Sequence, residues 1–272
     1  MLDKIVAVTM AVIMEVCGYG VDYSNMTPPS KYSLLENRYD APDFEYRPSF
    51  NVGKAKRLYG RVKVYPHFVD DPESSWTQER ITEVKNTVLI PGLRFIEEKA
   101  KEWGVTLEFK LCSPSDSMTV KISEPITDVD EGYLDYMLFV DRAYKFKAPH
   151  MNTTEDAVHI LLVNKEGRSF SVPDYMGNRD EWTVIFACDE RDVTVAHEVL
   201  HLFGAADFYE PSLRAMLARK HYRTDIMLST GFLSKSTIGE VTAYQVGWTD
   251  EIPEILKNED WWREDEEEII YD

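Results

Sequence analysis

Apolar and polar residues alternate over Gly60-Arg61-Val62-Lys63-Val64-Tyr65, which predicts a β-strand with Val62 and Val64 on one face. The period then changes. From Thr77 the apolar positions Ile81, Val84 and Val88 fall at helical spacing, and Thr77 is placed to open the helix. Pro91 and Gly92 predict a kink or a split in this helix before Phe95, Ile96, Ala100 and Trp103 resume it, and Gly104 is placed to end it. Thr106 to Leu111 alternates again, with Leu107, Phe109 and Leu111 on one face. Strand, helix and strand in that order predict a βαβ crossover. Further strands are expected at Thr119 to Ile122 and Ala157 to Val163, with a helix from Tyr133 to Phe146 between them. Gly167 to Val172 reads as an exposed edge strand, and Trp182 to Cys188 as a strand leading into an apolar helical run. Thr237-x-x-Glu240 has the form of a capping box opening a last helix through Tyr244 to Trp248. No internal repeat is visible.

That apolar helical run carries the candidate chemistry, His197-Glu198-Val199-Leu200-His201-Leu202-Phe203-Gly204-Ala205-Ala206-Asp207. Residues four apart share a helix face, so His197 and His201 can offer their imidazoles to one ion while Glu198 sits beside it. Val195, Val199, Leu200, Leu202 and Phe203 are available to bury the rest of the helix. Gly204, lacking Cβ, can end it in a left-handed turn and swing the chain back, which makes Asp207 the natural third ligand. Two imidazoles and a carboxylate suit zinc in tetrahedral geometry with the fourth position left to water, the pattern of a catalytic site. In that scheme Glu198 takes a proton from the attacking water and delivers it to the leaving amine. His221 is the alternative third ligand. His67, His150 and His159 are expected to be structural or exposed.

The string His-Glu-x-x-His-x-x-Gly-x-x-Asp resembles the zinc signature of the metzincin metallopeptidases, in the Asp-ending form of the snapalysin-like proteases. The family also has a tight turn carrying a methionine beneath the metal, and Met227 in Thr224-Asp225-Ile226-Met227-Leu228 fits it. The resemblance implies a single α/β domain: a twisted, mostly parallel sheet with one antiparallel edge strand, packed on helices, above a small irregular C-terminal part. It implies zinc-dependent endopeptidase activity, and an extended peptide held beside the edge strand. The chain departs from the pattern after the methionine, where many metzincins have a tyrosine and this sequence has Leu228-Ser229-Thr230. Tyr222 precedes the turn and is expected to serve packing. Other readings are a hydrolase of non-peptide amides, and a non-catalytic binding protein with a vestigial zinc helix. Leu213, Met216 and Leu217 could line a specificity pocket or belong to the core.

Composition narrows the partners. The 272 residues are 44% hydrophobic and carry a formal net charge of −18, so nucleic acid and anionic membrane surfaces are disfavoured. The expected partner is a protein or peptide substrate, and the expected state a monomer. Ile5 to Met14 is an apolar run after Lys4, of signal-peptide length and too short to span a bilayer, although Asp3 and Glu15 are poor flanks. Residues 1–20 are therefore read as a signal or lipoprotein segment, with Cys17 as the residue a lipid anchor would take. Secretion or a cell-envelope location is expected, the alternative being a cytoplasmic protein. Residues 21–55 read as an extended leader or linker, 56–255 as the catalytic domain and 256–272 as an acidic, solvated tail. Cys112 and Cys188 are either a disulfide or two free thiols. Asn25-Met26-Thr27 and Asn152-Thr153-Thr154 match glycosylation acceptors.

Overall fold

In the computed structural model, residues 58–112, 119–121, 125, 157–172, 181–188, 191–229 and 231–263 are described. The first crossover forms as the alternation predicts: strand β1 (Gly60–Asp70), helix α1 (Gln78–Val84), helix α2 (Ile90–Glu102) and strand β2 (Leu107–Leu111). Val62 of β1 stands beside Phe109 of β2 in parallel register. Thr77 caps α1 by accepting the Arg80 N–H through its hydroxyl. Gly104, at φ +73°, ends α2 in the left-handed turn, with the Val105 N–H donating to the Ala100 carbonyl at 2.8 Å.

The helix is divided just before Pro91 and Gly92. A π-helical turn at Lys85–Leu89 joins α1 to α2, and the Ile90 N–H reaches back five residues to the Lys85 carbonyl. The wider turn accommodates a ring that has no N–H to give and would crowd a normal α-turn. Gly92 has a packing role instead. A Cβ there would lie 2.6 Å from the Asp192 carbonyl oxygen and 2.8 Å from Val195 Cβ, so its absence lets α2 touch helix α3 (Asp192–Leu202).

The sheet is completed by β3 (Thr119–Lys121), β4 (Ala157–Val163), β5 (Phe170–Val172) and β6 (Glu181–Phe186). Its order is β2-β1-β4-β6-β5, with β3 beside the far end of β1. All pairs are parallel except β5 with β6, which is antiparallel. Among the described residues the sheet is thus mostly parallel with one antiparallel edge strand, a mixed α/β arrangement.

Val62, Val64, Phe68, Val158, Ile160, Leu162 and Ile185 join the helices in one apolar core. His67, His159, Leu161, Trp182 and Val184 are buried as well. Burial of alternate as well as core-facing positions explains why β4 reads as a nearly continuous apolar run rather than a strict alternation. His67 lies inside β1 rather than after it, and its Nε2 is 3.1 Å from His159 Nδ1. His150, the expected helix from Tyr133 to Phe146 and the acceptor at Asn152 fall outside the described residues, as do residues 1–57 with Cys17, the leader and the acceptor at Asn25.

Beyond α3 lie helix α4 (Ser212–His221), helix α5 (Glu240–Gln245) and short helix α6 (Glu259–Trp262). The capping box does not form. Gly239 is the N-cap of α5, and the carboxylate of Asp225 accepts its N–H at 2.7 Å from across the fold. The stretch from residue 256 to 263 is not the expected solvated tail. Leu256 and Trp261 are fully buried, and the Trp262 indole N–H donates to the Leu256 carbonyl at 2.7 Å. Residues 264–272 lie outside the described part. Cys112 and Cys188 are free thiols. They extend strands three steps apart in the sheet order, about 14 Å at the usual strand spacing, well beyond disulfide reach.

Candidate metal centre

Helix α3 is buried along most of its length, with Val195, Val199, Leu200 and Leu202 fully inaccessible. Each such side chain contributes about 1.5–3 kcal/mol by leaving water, and together they hold two polar residues of the same helix in the interior. His197 is 4% exposed and Glu198 6%. Burial at that level demands partners, and His197 has one: its Nδ1 lies 3.0 Å from the Ile226 carbonyl oxygen. His201 Nδ1 lies 2.8 Å from the Ala205 carbonyl oxygen. With each Nδ1–H donated to a carbonyl, both Nε2 atoms present lone pairs to the same point.

The helix ends as the sequence requires. Gly204 has φ +100°, its N–H donates to His201, and the Ala205 N–H donates to Leu200 at 3.1 Å. This pair of bonds turns the chain back, and Asp207 arrives beside the imidazoles. Asp207 Oδ1 is 3.2 Å from each Nε2, and the two Nε2 atoms are 3.1 Å apart. Oδ1 is buried, and among the described residues it faces no donor beyond the two imidazoles. His197, His201 and Asp207 therefore form a cluster able to hold a metal ion. His221, the alternative ligand, is exposed at the last residue of α4 and lies outside the cluster.

The charges are strongly coupled in the metal-free state. Burial acts to lower the pKa of His201, but the hydrogen bond and charge of Asp207, with the charge of Glu198, outweigh it and hold it at about 9. Burial acts to raise that of Asp207, yet hydrogen bonds from His197 and His201 and the His201 charge keep the carboxyl far below the usual range.

Met227 is fully buried. Its carbonyl accepts the Phe208 N–H at 2.9 Å, while the preceding carbonyl, Ile226, holds His197. The turn therefore fastens both the helix and the returning loop. Asp225 fastens the turn: its carboxylate accepts from the Met227 N–H at 2.9 Å and from Gly239 and Thr242 of the α5 end. Burial pushes the Asp225 carboxyl up to about 6 despite these donors.

Three contributors were not singled out from sequence. Tyr209 donates its hydroxyl to Asp207 Oδ2 at 2.9 Å and stacks on the His197 ring at 6.5 Å. Burial and the Asp207 charge push that hydroxyl well above its ordinary pKa. The signal for Tyr209 was its nearness in sequence, two residues after Asp207. Asp225 and Ser171, whose hydroxyl reaches Glu198, carry no local signal. Tyr222 packs as expected, edge-on against Trp261 and hydrogen-bonded to Glu240. Of the apolar trio on α4, Met216 is 57% exposed, whereas Leu217 packs against the core.

No family model matches the chain, and no curated protein matches it. Among solved structures it is similar to metalloproteinase-II from Bacteroides fragilis, at 11% identity and a TM-score of 0.35 over 78% of this chain. The chain spans about three fifths of that structure, 60% of its length. A likeness of that size leaves the functional argument to the geometry of His197, His201 and Asp207.

Proposed function

We propose that the protein is a zinc-dependent endopeptidase of metzincin type, with His197, His201 and Asp207 as ligands and Glu198 as general base. The triangle of donor atoms carries this reading. Zinc–ligand bonds of about 2.0–2.1 Å set neighbouring donors about 3.3 Å apart across a tetrahedral angle, and the three here are separated by 3.1, 3.2 and 3.2 Å. The buried Asp207 Oδ1, which faces only the two imidazoles, fits the same assignment, because a cation would satisfy it. Imidazole with carboxylate suits zinc better than magnesium or calcium, which prefer all-oxygen cages.

Bound zinc supplies Lewis acidity, acidifying a coordinated water and polarising a substrate carbonyl. The chain supplies the rest. Ile226 and Ala205 fix the imidazole tautomers through the Nδ1 positions. Glu198 accepts a proton from the attacking water and passes it to the leaving amine nitrogen, so its carboxylate begins and ends the cycle ionised. The antiparallel β5, ending the sheet order beside α3, is the strand along which we expect the extended peptide to run.

The test is cleavage of a diverse peptide library by the full chain loaded with zinc, beside a chelated sample and Glu198→Ala. Wild type is expected to cut, the chelated sample to be inactive, and Glu198→Ala to keep its zinc while losing on the order of 10²–10⁴ in rate. An active Glu198→Ala protein would sink the assignment of the base. Turnover confined to non-peptide amides would favour the other hydrolase reading.

A further inference from the structure

We infer that Ser171 is a positioning residue that holds the Glu198 carboxylate and ties the edge strand to it. Its consequence for turnover rests on the peptidase reading; its geometry does not.

Ser171 is the middle residue of β5 and pairs with Thr183 of β6. Side chains alternate along a strand, so Ser171 faces one side of the sheet while Phe170 and Val172 face the other. Ser171 faces α3: its Oγ is 2.6 Å from the Glu198 carbonyl oxygen and 2.8 Å from Glu198 Oε2. A serine hydroxyl has one hydrogen, and here it sits between two acceptors of a single residue. Shared between the backbone carbonyl and the carboxylate of Glu198, that one hydrogen favours one arrangement of a side chain with three rotatable bonds. Oε2 is thereby anchored and Oε1 is left for proton transfer.

Among the described residues this is the only hydrogen bond made to the Glu198 carboxylate. Glu198 is 6% exposed, so water has little room to replace a lost partner. Charge-assisted hydrogen bonds of this kind are among the stronger ones. The contact also joins the strand expected to align substrate with the group expected to move the proton. A peptide lying along β5 would then meet Glu198 at a fixed height, which is what a proton transfer sensitive to displacements of about 1 Å requires.

The experiment compares wild type, Ser171→Ala and Ser171→Thr as full chains. In metal-free protein labelled with ¹³C at the glutamate carboxyls, the Glu198 resonance is identified by its loss in Glu198→Gln. It is expected to shift and broaden in Ser171→Ala and to stay near its wild-type position in Ser171→Thr. With zinc bound, Ser171→Ala should lose about 10–100-fold in kcat with KM within about twofold and zinc content unchanged, and Ser171→Thr should recover most of the loss. An unchanged resonance in Ser171→Ala overturns the inference. So does an equal loss of kcat in the Ala and Thr variants, or a loss that follows lost zinc. A shifted resonance in a chain that cleaves no peptide upholds the positioning and overturns the peptidase reading instead.

Discussion

His201 sets the pH dependence of the metal-free site. Its folded pKa of about 9 lies above the ordinary 6.5, so its pairing with Asp207 contributes stability fully below pH 6.5 and loses it as pH rises through 9. A metal needs the neutral imidazole, and at pH 7.5 the protonated His201 must give its proton up. Titration calorimetry at that pH, in buffers of different ionisation enthalpy, is expected to show about one proton released per ion bound. The number should fall towards zero above pH 9, and a release independent of pH would contradict the coupling. The meeting of His197, His201 and Asp207 was legible from sequence because one helix and one turn bring them together. Ser171 was not, because it acts across 27 positions of chain.

At the scale of elements, α2 and α3 meet at Gly92. With a Cβ there 2.6 Å from a backbone oxygen, the helices must separate. Gly92→Ala is expected to cost about 1–3 kcal/mol by overpacking, against the small gain an exposed helical Gly→Ala change brings. Urea unfolding measures it, and a stabilised variant would show that the contact is loose. The sequence marked Pro91-Gly92 as a kink or split because local propensity argues that way; the form it takes, a π-turn just before Pro91 with Gly92 packed on α3, is invisible locally. The capping box at Thr237 failed for a similar reason. Asp225, fifteen residues before Glu240 in sequence, reaches the N–H of Gly239 with its own carboxylate.

Across the molecule, the candidate metal site belongs to the core that stabilises the chain. The turn at Met227 holds α3 through Ile226 and the Asp207 loop through Phe208. Trp248, in the C-terminal part, donates its indole N–H to the Leu58 carbonyl just before β1, 190 positions away. Zinc binding that site in the folded state alone should raise stability by about 2.7 kcal/mol at a free concentration of 100 times Kd. Melting temperature followed against zinc concentration tests this, with Asp207→Ala as the control that should lose most of the shift. A metal-independent melting temperature would mean that the cluster does not bind zinc.

The sequence by itself determined the strands and helices of the crossover, the helix that bears His197 and His201, and the return of the chain to Asp207. These follow from periodicity and from a glycine at φ +100°, interactions within about ten residues. Only the tertiary structure decided that Cys112 and Cys188 stand apart, that Leu256 and Trp261 pack into the core, and that His221 stays outside the site. It also decided which groups hold the site's side chains: Ile226 and Ser171 reach it from distant segments, and Asp225 fastens the turn that carries Ile226. Hydrogen-bonding partners brought together by folding leave no spacing in the sequence, because nothing in a local pattern specifies which remote backbone or side chain will meet a buried polar group.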